Sequence, residues 1–296
     1  MTDLPVVSIV TPSLNQGRFI EATVRSVLEQ DYPNIEYIVM DGGSTDGTLD
    51  ILRRYADRLT WVSEPDGGQG DALHRGYLRS SGSILAWLCS DDLYEPGAVT
   101  AGVAALTSDA NLALVYGNAG FVTETGEDGG PCPWIEPFDL RRLISHGDFI
   151  VQPASFFTRS AYMAVGGLDT ALHWAMDYDL WIKLGSRYAV RYVPESWARS
   201  RLRDDTKTAT GGLPRLLEIQ RMIAGHGGRG LPTVFGLEMM RSQYRAGNEA
   251  LRAGHWADAL HAWSRALPYL LTRNGAAFAA GHRGRTIGRA PDSKPG

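Results

Sequence analysis

The sequence predicts an α/β protein with a mostly parallel, twisted sheet flanked by helices and a small helical extension at its carboxyl end. Short apolar runs rich in Val, Ile and Leu alternate with helical patterns through the first 90 residues, which is typical of a parallel sheet. Polar clusters follow these runs directly. After residue 211, amphipathic helical patterns without intervening strands predict the extension.

Each predicted element follows from a local pattern. Predicted strands cover residues 6–11, 35–40, 59–63, 83–89 and 112–122, and the helices between the first four cover residues 19–30, 48–56 and 71–80. The run at 83–89 is apolar throughout, as expected of a strand buried on both faces. Past a Gly- and Pro-rich loop at 124–137, we expect helices at 138–145 and 176–187 and a strand at 189–193. The polar stretch at 199–210 predicts a flexible boundary.

These patterns divide the chain into a main domain at residues 1–210, a helical extension at 211–272 and a flexible basic tail at 273–296. Helices of the extension are expected at 214–225, 234–252 and 256–271. Small residues and a Trp recur there with the spacing of one tetratricopeptide-like unit, in which two helices pack closely: Gly247, Gly254, Ala259, Trp263 and Ala266. A single unit cannot bury its own face, so we expect it to dock on the main domain or on a partner.

Charge is distributed unevenly along the chain. Residues 1–195 hold 13 Lys and Arg against 26 Asp and Glu, whereas residues 196–296 hold 16 against 7. The acidic body suits cations and neutral sugars and argues against nucleic acid. The basic end predicts either solvated helix faces or contact with a phosphate-bearing acceptor or with anionic lipid on the inner membrane face. With two cysteines, no signal-peptide pattern and no run of about 18 apolar residues, we expect a cytoplasmic protein.

The turn after the first predicted strand argues against a dinucleotide enzyme. Residues 12–17 read Pro-Ser-Leu-Asn-Gln-Gly and lack the Gly-rich fingerprint of such a site. A sugar nucleotidyltransferase shares this alternation of strands and helices, but it needs a basic residue for a triphosphate near this turn, and the first Lys is Lys183. That alternative stays open. Because ligands bind beyond the carboxyl ends of parallel strands, the polar clusters at 13–16, 41–46, 64–66 and 90–92 predict one cleft.

Four motifs occur in order along the chain: Val-Thr-Pro-Ser at 10–13, Met-Asp-Gly-Gly-Ser-Thr-Asp-Gly-Thr at 40–48, Ser-Asp-Asp at 90–92 and Asp-Tyr-Asp-Leu-Trp at 177–181. Together with Ser-Glu-Pro-Asp at 63–66 and Gly-Asp-Ala-Leu at 70–73, they resemble glycosyltransferase family 2, which has the A-type glycosyltransferase fold. The resemblance covers roughly residues 6–207. It implies an inverting enzyme that moves a sugar from a nucleoside-diphosphate sugar, with UDP favoured, to a saccharide or lipid-linked acceptor in polysaccharide or glycoconjugate synthesis.

The resemblance implies a nucleotide site at the first two motifs. Asp41 matches the carboxylate that contacts the donor base in this family. The role is chemically reasonable because a fixed acceptor oxygen can accept a hydrogen bond from the imide N–H of uracil. Further donor contacts are expected from Thr11, Pro12, Ser13, Asp71 and Ser90. The competing interpretation is that Asp41 only closes a turn while Asp46 caps the next helix.

A divalent cation, Mn²⁺ or Mg²⁺, is implied at Asp91 and Asp92, where it would neutralise charge on the leaving diphosphate. The family often has an aspartate where this chain has Cys89. A thiol is a soft ligand that suits these hard cations poorly, so we expect Cys89 to pack beneath the site and Asp91 to be the principal ligand. Capping of a helix start is the competing interpretation of the Asp pair.

Asp177 matches the family's catalytic base, which takes the proton of the acceptor hydroxyl. A helix N-terminus at this position would keep the carboxylate anionic. His173 and Trp174 just before it are candidates for acceptor binding. Where the family often has a histidine, this chain offers Arg203 and Lys207, which we expect to bind the diphosphate.

One non-enzymatic alternative remains at this stage. Cys89, Met176 and Arg203 stand where the family usually has other residues. A catalytically inactive, nucleotide-binding scaffold that presents its helical end to partners therefore stays open beside the transferase.

Overall fold

The computed structural model describes residues 4–270, so the predicted tail at 273–296 lies outside the described residues. The strands are β1 (Val7–Ser13), β2 (Ile35–Asp41), β3 (Thr60–Ser63), β4 (Ile84–Trp87), β5 (Leu93–Tyr94), β6 (Leu112–Val122), β7 (Asp128–Pro131), β8 (Ser155–Thr158) and β9 (Ala189–Arg201). The helices are α1 (Ile20–Leu28), α2 (Thr48–Arg54), α3 (Gln69–Arg79), α4 (Ala98–Thr107), α5 (Leu140–Ser145), α6 (Arg159–Ala164), α7 (Met176–Gly185), α8 (Lys207–Thr210), α9 (Gly212–Gly225), α10 (Gly236–Arg252) and α11 (Trp256–Leu270).

The described strands form one mixed sheet in the order β3-β2-β1-β4-β8-β6-β9-β5, with β7 paired to β6. The first four strands are mutually parallel, as the alternation of strands and helices predicts. Strand β8 is antiparallel to both of its neighbours, β4 and β6, while β6 and β9 are parallel. The predicted α/β class is therefore confirmed, with its parallel character concentrated in the half that contains the first two motifs.

Both faces of the sheet are covered by apolar side chains. On one face, Ile9 and Val39 belong to the same buried cluster as Val24 of α1 and Leu52 of α2. On the other face, α3 comes so close to the sheet that a Cβ added at Gly76 would lie 2.5 Å from Val10 Cγ1. Strands β1 and β4, and β2 from Tyr37 onward, are thus buried, which explains why apolar residues predominate in them.

The predicted flexible boundary at 199–210 is wrong for its first three residues. Strand β9 does not end near residue 193 but continues to Arg201, paired with β6 on one side and β5 on the other. Its polar side chains find partners within the fold: Arg199 Nε lies 2.5 Å from Glu95 Oε1 and Arg199 Nη1 lies 3.0 Å from Asp128 Oδ1. Because the partners of these ion pairs lie about 70 and 100 positions away in sequence, the local sequence of this strand looks like that of a polar loop.

The chain forms two compact units. In the described part, the first unit comprises residues 4–140 and Phe149–Leu202, and the second comprises Arg141–Asp148 and residues 203–270. The sheet and the four family motifs belong to the first unit. Within residues 4–270, no helix combines the length and the apolar character needed to cross a lipid bilayer.

The second unit contains the predicted helices of the extension as α9, α10 and α11. Helices α10 and α11 pack through small residues, since a Cβ added at Gly247 would lie 2.2 Å from Trp263 Nε1. Ala259, Ala262 and Ala266 are the buried residues that α11 turns toward this contact. The predicted close packing of a single helix pair follows from these residues, while its assignment as a tetratricopeptide-like unit stays a prediction.

Candidate active site

Three polar residues lie side by side where the first three strands end. In the sheet register Ser13 is opposite Asp41, and Asp41 is opposite Ser63. Because β1, β2 and β3 run in the same direction, all three residues stand at the carboxyl edge of the sheet. The turn at 90–92 follows β4, the other neighbour of β1, at that same edge. The polar clusters that follow β1, β2, β3 and β4 thus lie along one edge of the sheet, while their union in one cleft stays a prediction.

Asp41 is held by four hydrogen bonds and is only 1% exposed. Its Oδ2 accepts from the Gly43 amide (3.1 Å), the Ser44 amide (2.9 Å) and Ser63 Oγ (2.6 Å), while Oδ1 accepts from Ser44 Oγ (2.5 Å). The turn-closing role is therefore real. Since a carboxylate has about four acceptor sites, two on each oxygen, Oδ1 keeps capacity for a further donor.

The side chains of the first motif differ in their burial and in their hydrogen-bond partners. The Thr11 hydroxyl is fully buried, 3.0 Å from the Tyr37 hydroxyl, so it packs inside the core. Ser13 is 5% exposed, and its Oγ has no hydrogen-bond partner among the residues that the structure describes. Of the two hydroxyls, Ser13 is the one at the strand end beside Asp41. Pro12 is buried and paired with Met40 in the register.

The loops after β1 and β2 are tied together. Asn15 adopts a left-handed backbone conformation (φ 53°), which asparagine tolerates better than most residues. Its amide donates to Ser44 Oγ (2.7 Å), and its Oδ1 accepts from the Thr45 amide (2.9 Å). Asp46 Oδ2 accepts from the Gly17 amide at 2.8 Å. Asp46 thus joins the two loops as well as bonding the Thr48 amide at the start of α2.

The loop between β3 and α3 is closed by two carboxylates. Asp66 Oδ1 accepts from the Gly68 amide (2.8 Å) and Asp71 Oδ2 from the Gly67 amide (2.9 Å). The Gly67 bond and the Arg75 guanidinium, 2.8 Å from Asp71, lower the pKa of Asp71. Asp71 is therefore an anion with internal partners, and a ribose hydroxyl could approach it more readily than a diphosphate.

The Asp91–Asp92 turn holds two carboxylates in different surroundings. Asp91 is half-buried, whereas Asp92 is buried, and its Oδ1 accepts from the Arg201 amide at 3.0 Å. Burial raises the pKa of Asp92 well above its ordinary range, and the Asp91 carboxylate raises it further, against the bonds from Arg201 and Ser200. Ser90, one of the predicted donor contacts, lies directly before the pair and is buried. Asp91 is thus the more accessible carboxylate of the pair.

The donor atoms near this turn fit a hard cation that shares its coordination with a substrate. Among residues 4–270 no group of three or more His, Cys, Asp or Glu side chains could hold a metal ion. Mg²⁺ is commonly held by one or two carboxylates together with waters and substrate phosphates, and Asp91 beside Asp92 matches that pattern. Cys89 Sγ lies 3.3 Å from Gln69 Nε2 and 3.5 Å from Gln152 Oε1, in a contact between neutral groups.

Asp177 lies in the first turn of α7, near the start of α3. Its Oδ1 accepts from the Tyr178 amide at 2.8 Å. A Cβ added at Gly70 of α3 would lie 3.4 Å from Met176 Sδ, so the two helix starts are in close contact. Helix α7 is anchored beneath the sheet by Trp181, whose ring stacks on Trp87 with centroids 5.6 Å apart.

The residues next to Asp177 in sequence and the two predicted diphosphate contacts have different settings. His173 is exposed and its ring meets that of Trp174 edge-on, with centroids 4.6 Å apart. Asp179 is buried and lies 2.6 Å from Lys183 Nζ, a structural ion pair. Arg203 and Lys207 belong to the second unit, where Arg203 makes two 2.8 Å bonds to Asp205. A diphosphate would have to compete with Asp205 for that guanidinium.

Arg201 is a residue of this region that sequence reasoning did not single out. Its Nε donates to the carbonyl of Asp91 (2.9 Å) and its Nη1 to the carbonyl of Thr123 (2.6 Å). The guanidinium also lies over the Phe19 ring, 4.9 Å from the centroid. These partners are up to 182 positions away in the chain, so no local pattern could have indicated them.

The sheet and its flanking helices match the A-type fold of solved glycosyltransferase structures. A structure of Staphylococcus aureus TarS 1-349 in complex with UDP-GlcNAc superposes with a TM-score of 0.63 at 13% identity, covering 95% of this chain and 93% of that one. The mannosyltransferase PcManGT from Pyrobaculum calidifontis, in complex with GDP-Man and Mn²⁺, gives 0.59 at 21% identity, covering 95% and 80%.

Sequence comparison identifies the family. Residues 8–165 match the model of glycosyl transferase family 2, and the chain belongs to that family. An uncharacterized glycosyltransferase of Mycobacterium tuberculosis is 35% identical over 184 residues, which cover 60% of this chain and 68% of the relative. The predicted family and fold are confirmed.

Proposed function

We propose that this enzyme transfers a sugar with inversion from a nucleoside-diphosphate sugar, UDP-sugar in preference, to the hydroxyl of a saccharide or lipid-linked acceptor. The observation that carries the proposal is the row Ser13–Asp41–Ser63 at the edge where the Asp91 turn also lies. In such a sheet a nucleotide would lie across the strand ends, with its base at Asp41 and its diphosphate toward Asp91. GDP and dTDP sugars remain possible because guanine and thymine also present a ring N–H.

In this proposal Asp41 Oδ1 accepts the imide N–H of the base, and Ser13 Oγ, buried beside it, supplies a further polar contact. Asp71 takes a ribose hydroxyl. A divalent cation held by Asp91, with Asp92 beside it, supplies positive charge for the diphosphate as it leaves. The relatives of known structure contained UDP-GlcNAc in one case and GDP-Man with Mn²⁺ in the other, which supports a nucleotide sugar of either type.

Asp177 performs the proton transfer. Its carboxylate takes the proton of the acceptor hydroxyl as that oxygen bonds to the anomeric carbon. The bond between the anomeric carbon and the diphosphate oxygen breaks on the opposite face, and its electron pair stays on the nucleoside diphosphate. The configuration at the anomeric carbon is thereby inverted. The Tyr178 amide and the first turn of α7 favour the anionic form that this role requires.

The first test is the thermal stability of the protein with UDP, GDP, dTDP and ADP, each with and without Mn²⁺. A ligand at about 100 times its dissociation constant adds about 2.7 kcal/mol to the free energy of unfolding. We expect a metal-dependent stabilisation by UDP above the other three. Stabilisation by none of the four would favour a degenerate site or a protein that depends on a partner, whereas stabilisation without donor hydrolysis or transfer would favour the nucleotide-binding scaffold.

Asp177→Asn tests the base. We expect unchanged binding of UDP and Mn²⁺ with transfer to acceptor abolished, because only the proton acceptor is lost. Asp169→Asn, in the exposed turn before α7, is the matched control with the same change in charge and should retain activity. Loss of nucleotide binding together with transfer in Asp177→Asn would contradict the assignment.

The basic carboxyl-terminal part supports a further element of the proposal, peripheral contact with an anionic membrane. Exposed Trp256, Leu260 and Leu267 lie near one another on α11 at helical spacing. We expect co-sedimentation with vesicles that contain phosphatidylglycerol and none with pure phosphatidylcholine. Equal behaviour with both vesicles would exclude an electrostatic contact.

A further inference from the structure

Arg201 connects three segments that are distant in sequence. Its guanidinium bonds the carbonyl oxygens of Asp91 and Thr123, and it lies 3.4 Å from that of Glu124. The side chain is buried, and the ring of Phe19, immediately before α1, covers one face of the guanidinium. The Asp91 turn, the loop after β6 and the start of α1 therefore meet at one side chain.

The same residue holds both aspartates of the turn by different groups. The side chain of Arg201 fixes the main chain of Asp91 through its carbonyl, and the Arg201 amide fixes the side chain of Asp92 through Oδ1. Thr23 Oγ1 donates to the Asp92 carbonyl at 2.8 Å. With the main chain held at the Asp91 and Asp92 carbonyls, directly after the Asp91 Cα, the direction in which the Asp91 carboxylate leaves the turn is restricted.

We propose that Arg201 is a positioning residue that orients the Asp91 carboxylate for the divalent cation. The inference rests on the proposed function, because it assigns a cation to Asp91. It extends that function by naming a residue that does not touch substrate and acts through the turn. Groups that orient metal ligands in this way typically change metal affinity by about 10- to 100-fold when they are removed.

Arginine suits this role better than lysine would. The planar guanidinium presents donors in fixed directions, so one side chain can serve the Asp91 and Thr123 carbonyls at once while its face packs on Phe19. A lysine ammonium lacks this planar fork and the flat face. Arg201→Lys therefore keeps the charge and removes the geometry.

The experiment measures Mn²⁺ binding to the full-length chain by electron paramagnetic resonance of free Mn²⁺, with saturating UDP and in parallel with GDP. Arg201→Met and Arg201→Lys are compared with Arg199→Met and Arg199→Lys. Arg199 is the matched control: it lies two residues earlier on β9, but it pairs with Glu95 and Asp128 instead of the turn. Metal-free UDP affinity is measured for every variant.

We expect Arg201→Met to weaken Mn²⁺ binding by about tenfold or more, with metal-free UDP affinity unchanged. Arg201→Lys should lie between it and the wild type, and the Arg199 variants should match the wild type. In an Asp91→Asn background, Arg201→Met should add little further loss, because residues that act through one ligand are not additive. If Arg201→Met does not fold, Arg201→Lys carries the same comparison.

Three other outcomes overturn the inference in distinguishable ways. If the wild type binds Mn²⁺ with nucleotide but the Arg201 variants lose only thermal stability, Arg201 is structural and the proposed function stands. A full additional loss in the Asp91→Asn background also overturns the positioning role, since Arg201 would then act independently of Asp91. If the wild type shows no nucleotide-dependent Mn²⁺ binding, the metal site and this inference fall together.

Discussion

Replacing Asp41 by asparagine separates the two roles of this carboxylate. The substitution preserves shape, and the three donors at Oδ2 oblige the asparagine to place its carbonyl oxygen there. Its NH₂ group must then stand at the Oδ1 position. Ser44 Oγ can turn to accept from it, but a uracil imide would meet a donor where it needs an acceptor.

The expected magnitudes differ for folding and for binding. Hydrogen bonds to a charged group contribute about 1.5–3 kcal/mol and those between neutral groups about 0.5–1.5, so three retained bonds lose about 3–4.5 kcal/mol in all when their acceptor is neutralised. A buried neutral amide costs less to desolvate than a carboxylate and offsets part of this loss, so we expect a net loss of roughly 1–3 kcal/mol of stability. For the nucleotide, one charge-assisted bond is lost and two donors face each other, which corresponds to roughly a ten- to hundredfold loss of UDP affinity.

The assay is isothermal titration with UDP and Mn²⁺, with thermal unfolding measured beside it. Asp46→Asn is the control, because Asp46 also accepts from main-chain amides, at Gly17 and Thr48, in the same loop. We expect both variants to unfold at lower temperature and only Asp41→Asn to lose UDP affinity. Wild-type UDP affinity in Asp41→Asn, or equal losses in the two variants, would refute a base contact and leave Asp41 as a turn residue.

Three further predictions concern the scaffold. Trp181→Ala removes the ring stacked on Trp87 and should lower the free energy of unfolding by about 3–5 kcal/mol in chemical denaturation. Burial would raise the pKa of Glu36, but the hydrogen bonds from Ser8 and from residues 81–82 outweigh burial and lower that pKa. The stability advantage of the wild type over Glu36→Gln should therefore be full above the ordinary glutamate pKa of about 4.3, and it should shrink as the pH falls below that value. Gly247→Ala should destabilise the α10–α11 pair, because the added Cβ meets Trp263, whereas Gly225→Ala at the end of α9 has open space and should be neutral or stabilising in thermal unfolding.

The parallel half of the sheet was predictable because each of its strands carries its own signal. Strand β4 is a continuous apolar run, β1 and β2 are mostly apolar, and polar turns follow all three. Helix α4 was not predicted, since Ala98–Thr107 is apolar on nearly every side and shows no helical period. Strand β8 has only four residues after a proline and gives no period at all.

In the candidate site, too, local sequence signals could be interpreted and long-range contacts could not. Residues within short motifs, such as Asp41 and Asp91, could be identified because the motif itself indicates the chemistry. Partners supplied by the tertiary fold could not: the Ser63 bond to Asp41 and the Arg201 bond to the Asp91 carbonyl join residues 22 and 110 positions apart. The roles assigned to these site residues stay predictions until the binding experiments are made.

The second unit includes Arg141–Asp148, a segment that comes between the two parts of the first unit in sequence. His146 Nδ1 lies 2.8 Å from Thr233 Oγ1, and the His146 carbonyl accepts from the Val234 amide at 2.9 Å. A shortened recombinant fragment that stops near residue 202 would keep this segment and discard those partners. Without those partners, residues 141–148 would be prone to aggregation or proteolysis. Inactivity of such a fragment would therefore say nothing about catalysis by the whole enzyme.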